Sequence, residues 1–370
     1  MRPVVYTWIQ KRQGSPMPTI LIRRAGTVAL ALAGVAVFWA LSLPLPFLFG
    51  PMFACLGAAL LGAPLKGLGV VSKAARTILG VAVGASITPE VLHQLPQMAG
   101  SVAFVPLYIL AIGLVGVPFF HKVCGFDRPT AYFAAMPGGL QDMVLFGQEA
   151  GADVRALSLI HATRVLVIVT IVPIMLIWVF DSPLSQPIGA PASELPAWEL
   201  ALMAVAAIGG WKVGERVGLF GAGIIGPMIV TAILSLSGVI EHRPPAEAIL
   251  AAQYFIGIGI GVGYVGVTLY ELRRDVLAGM LYVVILAILA FIVTEIVVIL
   301  GLASPIEGFL SFAPGGQAEM TVLAIVAGAD LGFVVVHHLV RLMLVILGAP
   351  IAASMLGLRG RKSVQSPPQK

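Results

Sequence analysis

Long apolar runs separated by short polar breaks dominate this chain from residue 27 to residue 357. Runs of about 18–25 residues are the length that crosses a bilayer as a helix. They predict spans near 26–43, 76–92, 101–120 and 156–180, with a further one ending near Ala63. Five more lie near 197–211, 219–239, 249–270, 277–301 and 333–357. Two stretches, 129–153 and 306–330, differ from these. Each carries a break near its middle, Pro137-Gly138-Gly139 in the first and Pro314-Gly315-Gly316 in the second. A proline and two glycines interrupt a helix, so each stretch predicts a hairpin tip or a discontinuous helix.

The two stretches are copies of one unit. Asp142, Met143, Ala150-Gly151-Ala152-Asp153, His161, Arg164 and Pro173 follow the first break. Glu319, Met320, Ala327-Gly328-Ala329-Asp330, His338, Arg341 and Pro350 follow the second, each 177 positions later, as 314 is from 137. Of the 37 residues from Pro137 to Pro173, 11 are identical to their partners, and Asp142/Glu319 keeps the charge. Gly50-Pro51-Met52 recurs as Gly226-Pro227-Met228, and Gly80 and Gly84 recur as Gly257 and Gly261. The duplication therefore covers nearly the whole chain. It divides into a basic arm (1–25), a first membrane repeat (26–180), a Pro/Ser-rich linker (181–196), a second repeat (197–357) and a basic tail (358–370).

Charge placement decides the threading. If 129–153 and 306–330 crossed fully, each half would have six spans and the repeats would be parallel. Lys212, Arg216, Arg273 and Arg274 would then lie opposite the N-terminus. If both stretches dip in and return, each half has five spans and the second half is inverted. The basic loops 64–76, 121–128, 212–216, 271–274 and 358–362 then share one side. The tendency of Lys and Arg to stay cytoplasmic selects the second threading, with both termini cytoplasmic. Composition agrees with a bacterial cytoplasmic-membrane, multi-pass, all-α protein in contact with lipid: 59% hydrophobic, 11% charged, mean hydropathy +1.01. Two cysteines make no disulfide framework, and the net charge of +5 reads as an orientation signal, not a nucleic-acid surface.

The candidate binding residues are Pro137, Gly138, Gly139, Asp142, His161 and Arg164, with Pro314, Gly315, Gly316, Glu319, His338 and Arg341. Free N–H groups of a helix that restarts after each break would carry partial positive charge toward the tip. Asp142 and Glu319, three residues past the second glycine, are either capping acids of that helix or coupling carboxylates. Arg164 and Arg341 sit deep in apolar runs, where a lone guanidinium costs roughly 3 kcal/mol or more. Each needs an ion pair with Asp142 or Glu319, or a solute carboxylate or phosphate held bidentately. His161 and His338, one turn before the arginines, either bond a neighbouring backbone or titrate. Asp153 and Asp330 fit helix caps. Two G-x-G-x-x-G matches, at 221–226 and 261–266, follow no strand and fit helix packing, not a nucleotide. No residue set has metal or nucleophile spacing, so no metal, no cofactor and no enzymatic activity are expected.

The paired Met-Pro-Gly-Gly-x-x-[Asp/Glu]-Met, Ala-Gly-Ala-Asp and His-x-x-Arg blocks, Met136–Arg164 and Ala313–Arg341, resemble the bacterial AbrB-duplication membrane proteins. There the chain itself has Ala313 where the first block has Met136. The resemblance covers roughly residues 26–357. That family carries two labels, a regulator of gene expression and an ammonia monooxygenase. It is similar in plan to the bile-acid, auxin and cation–proton carriers, which implies inverted repeats and broken helices. The expected function is secondary transport of a small solute, an organic anion, by alternating access at a midplane site. The alternative is a membrane-embedded regulator or sensor acting through a partner docked on the arm or tail. A homodimer is expected by analogy with such carriers.

Overall fold

The computed structural model describes residues 17–182, 184, 186–219 and 222–358. Most of the basic arm and tail thus lies outside the described residues. The first copy forms α1 (Met17–Ala40), α2 (Pro46–Leu60), α3 (Val70–Ala85), α4 (Pro89–Val102), α5 (Phe104–Pro118), α6 (Arg128–Ala135), α7 (Leu140–Ala150) and α8 (Val154–Trp178). The second forms α9 (Ala197–Arg216), α10 (Ala222–Leu236), α11 (Ala246–Val262), α12 (Leu269–Glu271), α13 (Leu277–Ile299), α14 (Pro305–Phe312), α15 (Gln317–Ala327) and α16 (Leu331–Met355). A π-helical turn, Leu272–Val276, carries α12 into α13. Among the described residues no strand occurs.

Five of the ten expected spans are long and apolar enough to cross a membrane: Thr19–Ala40, Pro96–Val123, Val154–Trp178, Leu269–Ile299 and Leu331–Met355. The others coincide with shorter helices, α2, α3, α10 and α11 of 15, 16, 15 and 17 residues, and with α9. Their apolar runs contain chain breaks that composition alone does not show. Pro89, for example, opens α4 inside the run read as 76–92.

The described residues fall into two compact units, residues up to Ser72 with Tyr254–Gly266, and Lys73–Gln253 with Val267 onward. Glycine crossings build both. In the smaller unit, a Cβ at Gly50 would sit 2.6 Å from the Gly34 carbonyl carbon, so α1 and α2 touch backbone to backbone. Gly257 and Gly261 of α11 press on the carbonyls of Leu48 and Met52. In the larger unit Gly210 and Gly226 join α9 to α10, and Gly80 and Gly84 of α3 press on the carbonyls of Ile224 and Met228. The third helix of each copy thus lies on the second helix of the other. Small residues four apart are what such close crossings require.

The two breaks form hairpins. The Asp153 N–H, which follows α7, donates to Thr130 Oγ1 at the start of α6 at 2.8 Å. The Asp330 N–H donates to Glu307 Oε1 at the start of α14 at 3.1 Å, and 307 is the repeat partner of 130. Each segment therefore returns to the level at which it enters. Its limbs, 8 and 11 residues, reach about 12 and 16 Å at 1.5 Å per residue, half the hydrocarbon depth.

Polar contacts within the larger unit gather the loops into sets. Arg155 Nε donates to Glu271 Oε1 at 2.7 Å, and the Arg274 guanidinium lies 4.4 Å from the Phe126 ring centre. Lys73 and Arg76 share a cleft with Trp211 and Glu215. Separately, the linker meets the second copy: Gln186 N–H donates to Val326 O and Ala192 N–H to Glu247 Oε2. Buried Glu199 accepts from the His242 N–H at 3.2 Å.

Neighbouring glycines of α9 test the crossings. A Cβ at Gly210 would lie 2.7 Å from the Gly226 carbonyl carbon, whereas Gly209 has nothing within 4 Å. Gly210→Ala is expected to lower stability by about 1–3 kcal/mol, and Gly209→Ala to raise it by up to about 1 kcal/mol. Thermal unfolding of the two variants in detergent checks this; equal effects would remove the crossing as the cause.

Candidate functional site

Both elbows are held by the same bonds at the same offset. In the first, Arg164 donates Nη1 to the Met136 carbonyl at 3.1 Å and Nη2 to the Gly138 carbonyl at 2.6 Å. In the second, Arg341 donates Nη1 to Ala313 O at 2.8 Å and Nη2 to Gly315 O at 2.7 Å. His161 Nε2 donates to Phe133 O at 3.0 Å, and His338 Nε2 to Leu310 O at 2.9 Å. Tyr282 Oη donates to Ala135 O at 2.8 Å in the first elbow. The carbonyls of residues 133–136 and 310–313 end α6 and α14, and those of Gly138 and Gly315 lie in the break beyond; a helix end leaves acceptors without internal partners, and lipid offers no water. The planar guanidinium spans two of them at once, which an ammonium cannot do.

This corrects one expectation. Neither arginine is in an ion pair among the described residues; each rests on backbone carbonyls at the negative end of a half-helix. The histidines take the backbone-bonding role. His338 Nδ1 lies 2.9 Å from Arg341 Nη2 and accepts from it, so that ring is the neutral Nε2–H tautomer. The capping role of Asp153 and Asp330 is present: Asp153 Oδ1 accepts from Ala156 N–H and Asp330 Oδ1 from Phe333 N–H.

The rest of the repeated block serves the same turn. Gly151 and Gly328, at φ 82° and 70°, end α7 and α15 in the left-handed region. The Ala152 N–H then reaches back to Gly147 O and the Gly151 N–H to Gln148 O, a pairing that only a glycine permits cheaply at that position. Met143 and Met320 lie over Gly138 and Gly315, where a Cβ would come within 2.6 Å of either methyl. Pro137 and Pro314 stand between the two carbonyls that each guanidinium grips.

What remains for chemistry is the start of α7 and α15. Their caps, Gly139 and Gly316, supply no side-chain bond, so free N–H groups face each tip. The Asp142 and Glu319 carboxylates fold back against these same glycines, close to the positive helix ends. Glu319 is buried; Asp142 is half-buried and lines the cleft with Lys73 and Arg76. Arg164 lies within coulombic reach of Arg341, Glu319, Tyr108 and Tyr282. Tyr108, buried and edge-on to Phe312 at 5.8 Å, lies within reach of both arginines. Sequence reasoning missed Tyr108, Tyr282 and the cleft; Lys73 and Arg76 offered a signal as a basic pair, but it read only as a loop.

The chain is similar to known proteins over most of its length. The family model described as "Transition state regulatory protein AbrB" matches residues 47–357. YhjN of Bacillus subtilis (strain 168) is 27% identical over 352 residues, 90% of each chain. "Putative regulator AbrB" of Escherichia coli (strain K12) is 24% identical over 328 residues, 86% of this chain and 92% of its own.

Each arginine makes two charge-assisted bonds worth about 1.5–3 kcal/mol apiece. Arg164→Gln and Arg341→Gln are therefore expected to lower unfolding free energy by about 3–5 kcal/mol, with less than half restored by Lys. Unfolding in mixed micelles measures this, and a loss below about 1 kcal/mol would mean that the carbonyl clamp carries little.

Proposed function

The chain belongs to the AbrB family, and we propose that it is a cytoplasmic-membrane secondary transporter of a small organic anion working by alternating access. One observation carries this: each of two hairpin elbows sets an uncapped helix start beside a buried guanidinium group, and among the described residues neither arginine is in an ion pair with a carboxylate. Discontinuous helices whose positive ends converge near the midplane are how carriers hold an anionic group without lipid-exposed backbone. Arg164 sits 11 residues past the helix cap Asp153, about 16 Å deep at 1.5 Å per residue. In this scheme Asp142 and Glu319 are the coupling carboxylates, and the Pro-Gly-Gly carbonyls and N–H groups shape the site.

Alternating access asks for inverted copies. The hairpins support that arrangement, because a segment that returns to its own side leaves an odd number of crossings per half. The loop contacts support it too. Residues 73–76 meet 211–215, and 126 and 155 meet 271–274, helix ends and turns at or beside the basic segments that inversion would put on the cytoplasmic side. The acidic linker meets residues 246 and 247 instead.

A regulatory role has the family description and the name of the Escherichia coli relative in its favour. It would need a docking surface on the arm or tail. Removing residues 1–16 and 359–370 separates the two: a carrier keeps its flux, and a sensor loses its output.

The direct test is flux in proteoliposomes against a panel of labelled carboxylates of two to six carbons. Saturable uptake of at least one is expected, and Glu319→Gln or Asp142→Asn should cut it at least tenfold while the protein stays monodisperse. No saturable flux across the panel would contradict transport. Impermeant labelling of Glu194→Cys and Lys212→Cys should report opposite faces; same-side labelling would favour parallel repeats.

A further inference from the structure

A polar cleft lies beside the first elbow, and its chemistry goes further than the repeat. It encloses about 180 Å³ between the start of α3, the end of α9, the first turn of α10 and Asp142 of α7. Pockets for drug-sized ligands run to about 300–1,000 Å³, so this one admits only a small solute. Its charges do not cancel. Glu215 is engaged within its own helix, accepting from Trp211 Nε1 at 2.9 Å and pairing with Lys212 at 3.4 Å. Lys212 also lies 4.3 Å from the Trp211 ring centre. Lys73 and Arg76 have no ion pair among the described residues, and Asp142 lies within coulombic reach of Arg76. Two cations against one carboxylate leave the cleft at net +1.

The second copy does not repeat this. The sequence partners of Lys73 and Arg76, 177 positions on, are Leu250 and Gln253, although Asp142 has its partner in Glu319. The cationic pair was therefore not required to build the elbow, which forms in both copies. A face-specific role accounts for it. Lys73, Arg76, Lys212 and Arg216 belong to the loops that charge placement assigns to the cytoplasm.

We infer that this cleft is a cytoplasmic docking site for a small oxyanion, a carboxylate or a phosphate, held by Lys73 and Arg76 at the threshold of the first elbow. Docking there draws the anion to the positive start of α7, and Asp142 opposes it until the anion competes for Arg76. The cation pair on one face only raises the local anion concentration at the cytoplasmic mouth and lowers the half-saturating concentration there relative to the other face; this last step rests on the carrier role proposed above, and the docking itself does not.

A thiol placed in the cleft tests it without knowing the solute. Gly223 lines it, and a Cβ there would meet only Lys73 O at an ordinary 3.8 Å, so Gly223→Cys fits. Cys124→Ser removes the partly exposed thiol, while Cys55 is fully buried. The probes are the sulfonatoethyl and trimethylammonioethyl methanethiosulfonates, with rates normalised to their reaction with free mercaptoethanol. The sulfonate is expected to react roughly tenfold faster than the ammonium reagent, in line with charge-lined clefts generally. Adding Lys73→Gln and Arg76→Gln leaves Asp142 alone in the cleft and should bring the normalised ratio below one. Labelling should occur in inside-out vesicles and not in intact cells. A ratio near one in the parent, a ratio unchanged by the double substitution, or labelling from outside would overturn the inference. Absent flux with an intact anion preference would instead remove the carrier role and leave the docking site standing.

Discussion

A helix that stops inside hydrocarbon leaves carbonyl groups that nothing in lipid can satisfy. The rest of this structure depends on how that problem is solved twice. Each Pro-Gly-Gly break ends a half-helix, and each time an arginine from the following long helix places a planar fork over two carbonyls of the break. A histidine one turn earlier takes a third. The buried cation and the unsatisfied acceptors would each be costly alone; together they neutralise one another. Because the carbonyls absorb the arginines, the carboxylates at Asp142 and Glu319 stay free of them, which is what a coupling group needs.

The same solution explains why the repeated block is so local. Methionine covers the middle glycine, the acid covers the last one, and Ala-Gly-Ala-Asp makes a left-handed stop followed by a cap. These are requirements of an elbow, and they recur because the elbow recurs. Function is to be sought where the copies diverge. Lys73 and Arg76 have no charged partners in the second copy, where Leu250 and Gln253 stand at the repeat offset.

Much of the fold was legible in the chain. The 177-residue offset, the breaks, the capping aspartates and the helical character all follow from residue types at fixed spacing. The arginine partners were not, because a sequence pairs charge with charge and cannot show which backbone carbonyls lie exposed at a helix end. Span lengths were overestimated where apolar loops continue an apolar helix, as before Pro89. The exchange of third helices was likewise hidden: Gly80 and Gly84 announce a close crossing but not which copy supplies the other helix. Tyr108 and Tyr282 carry no partner at the repeat offset, so no pattern singled them out.

The central claim is that carbonyls, not carboxylates, hold the buried guanidinium groups. Double-mutant cycles within each elbow, Arg164 with Asp142 and Arg341 with Glu319, measure it most directly by unfolding in mixed micelles. Coupling energies below about 1 kcal/mol are predicted, with the arginine cost independent of the acid. Coupling of about 3 kcal/mol or more, the scale of a broken buried ion pair, would contradict it.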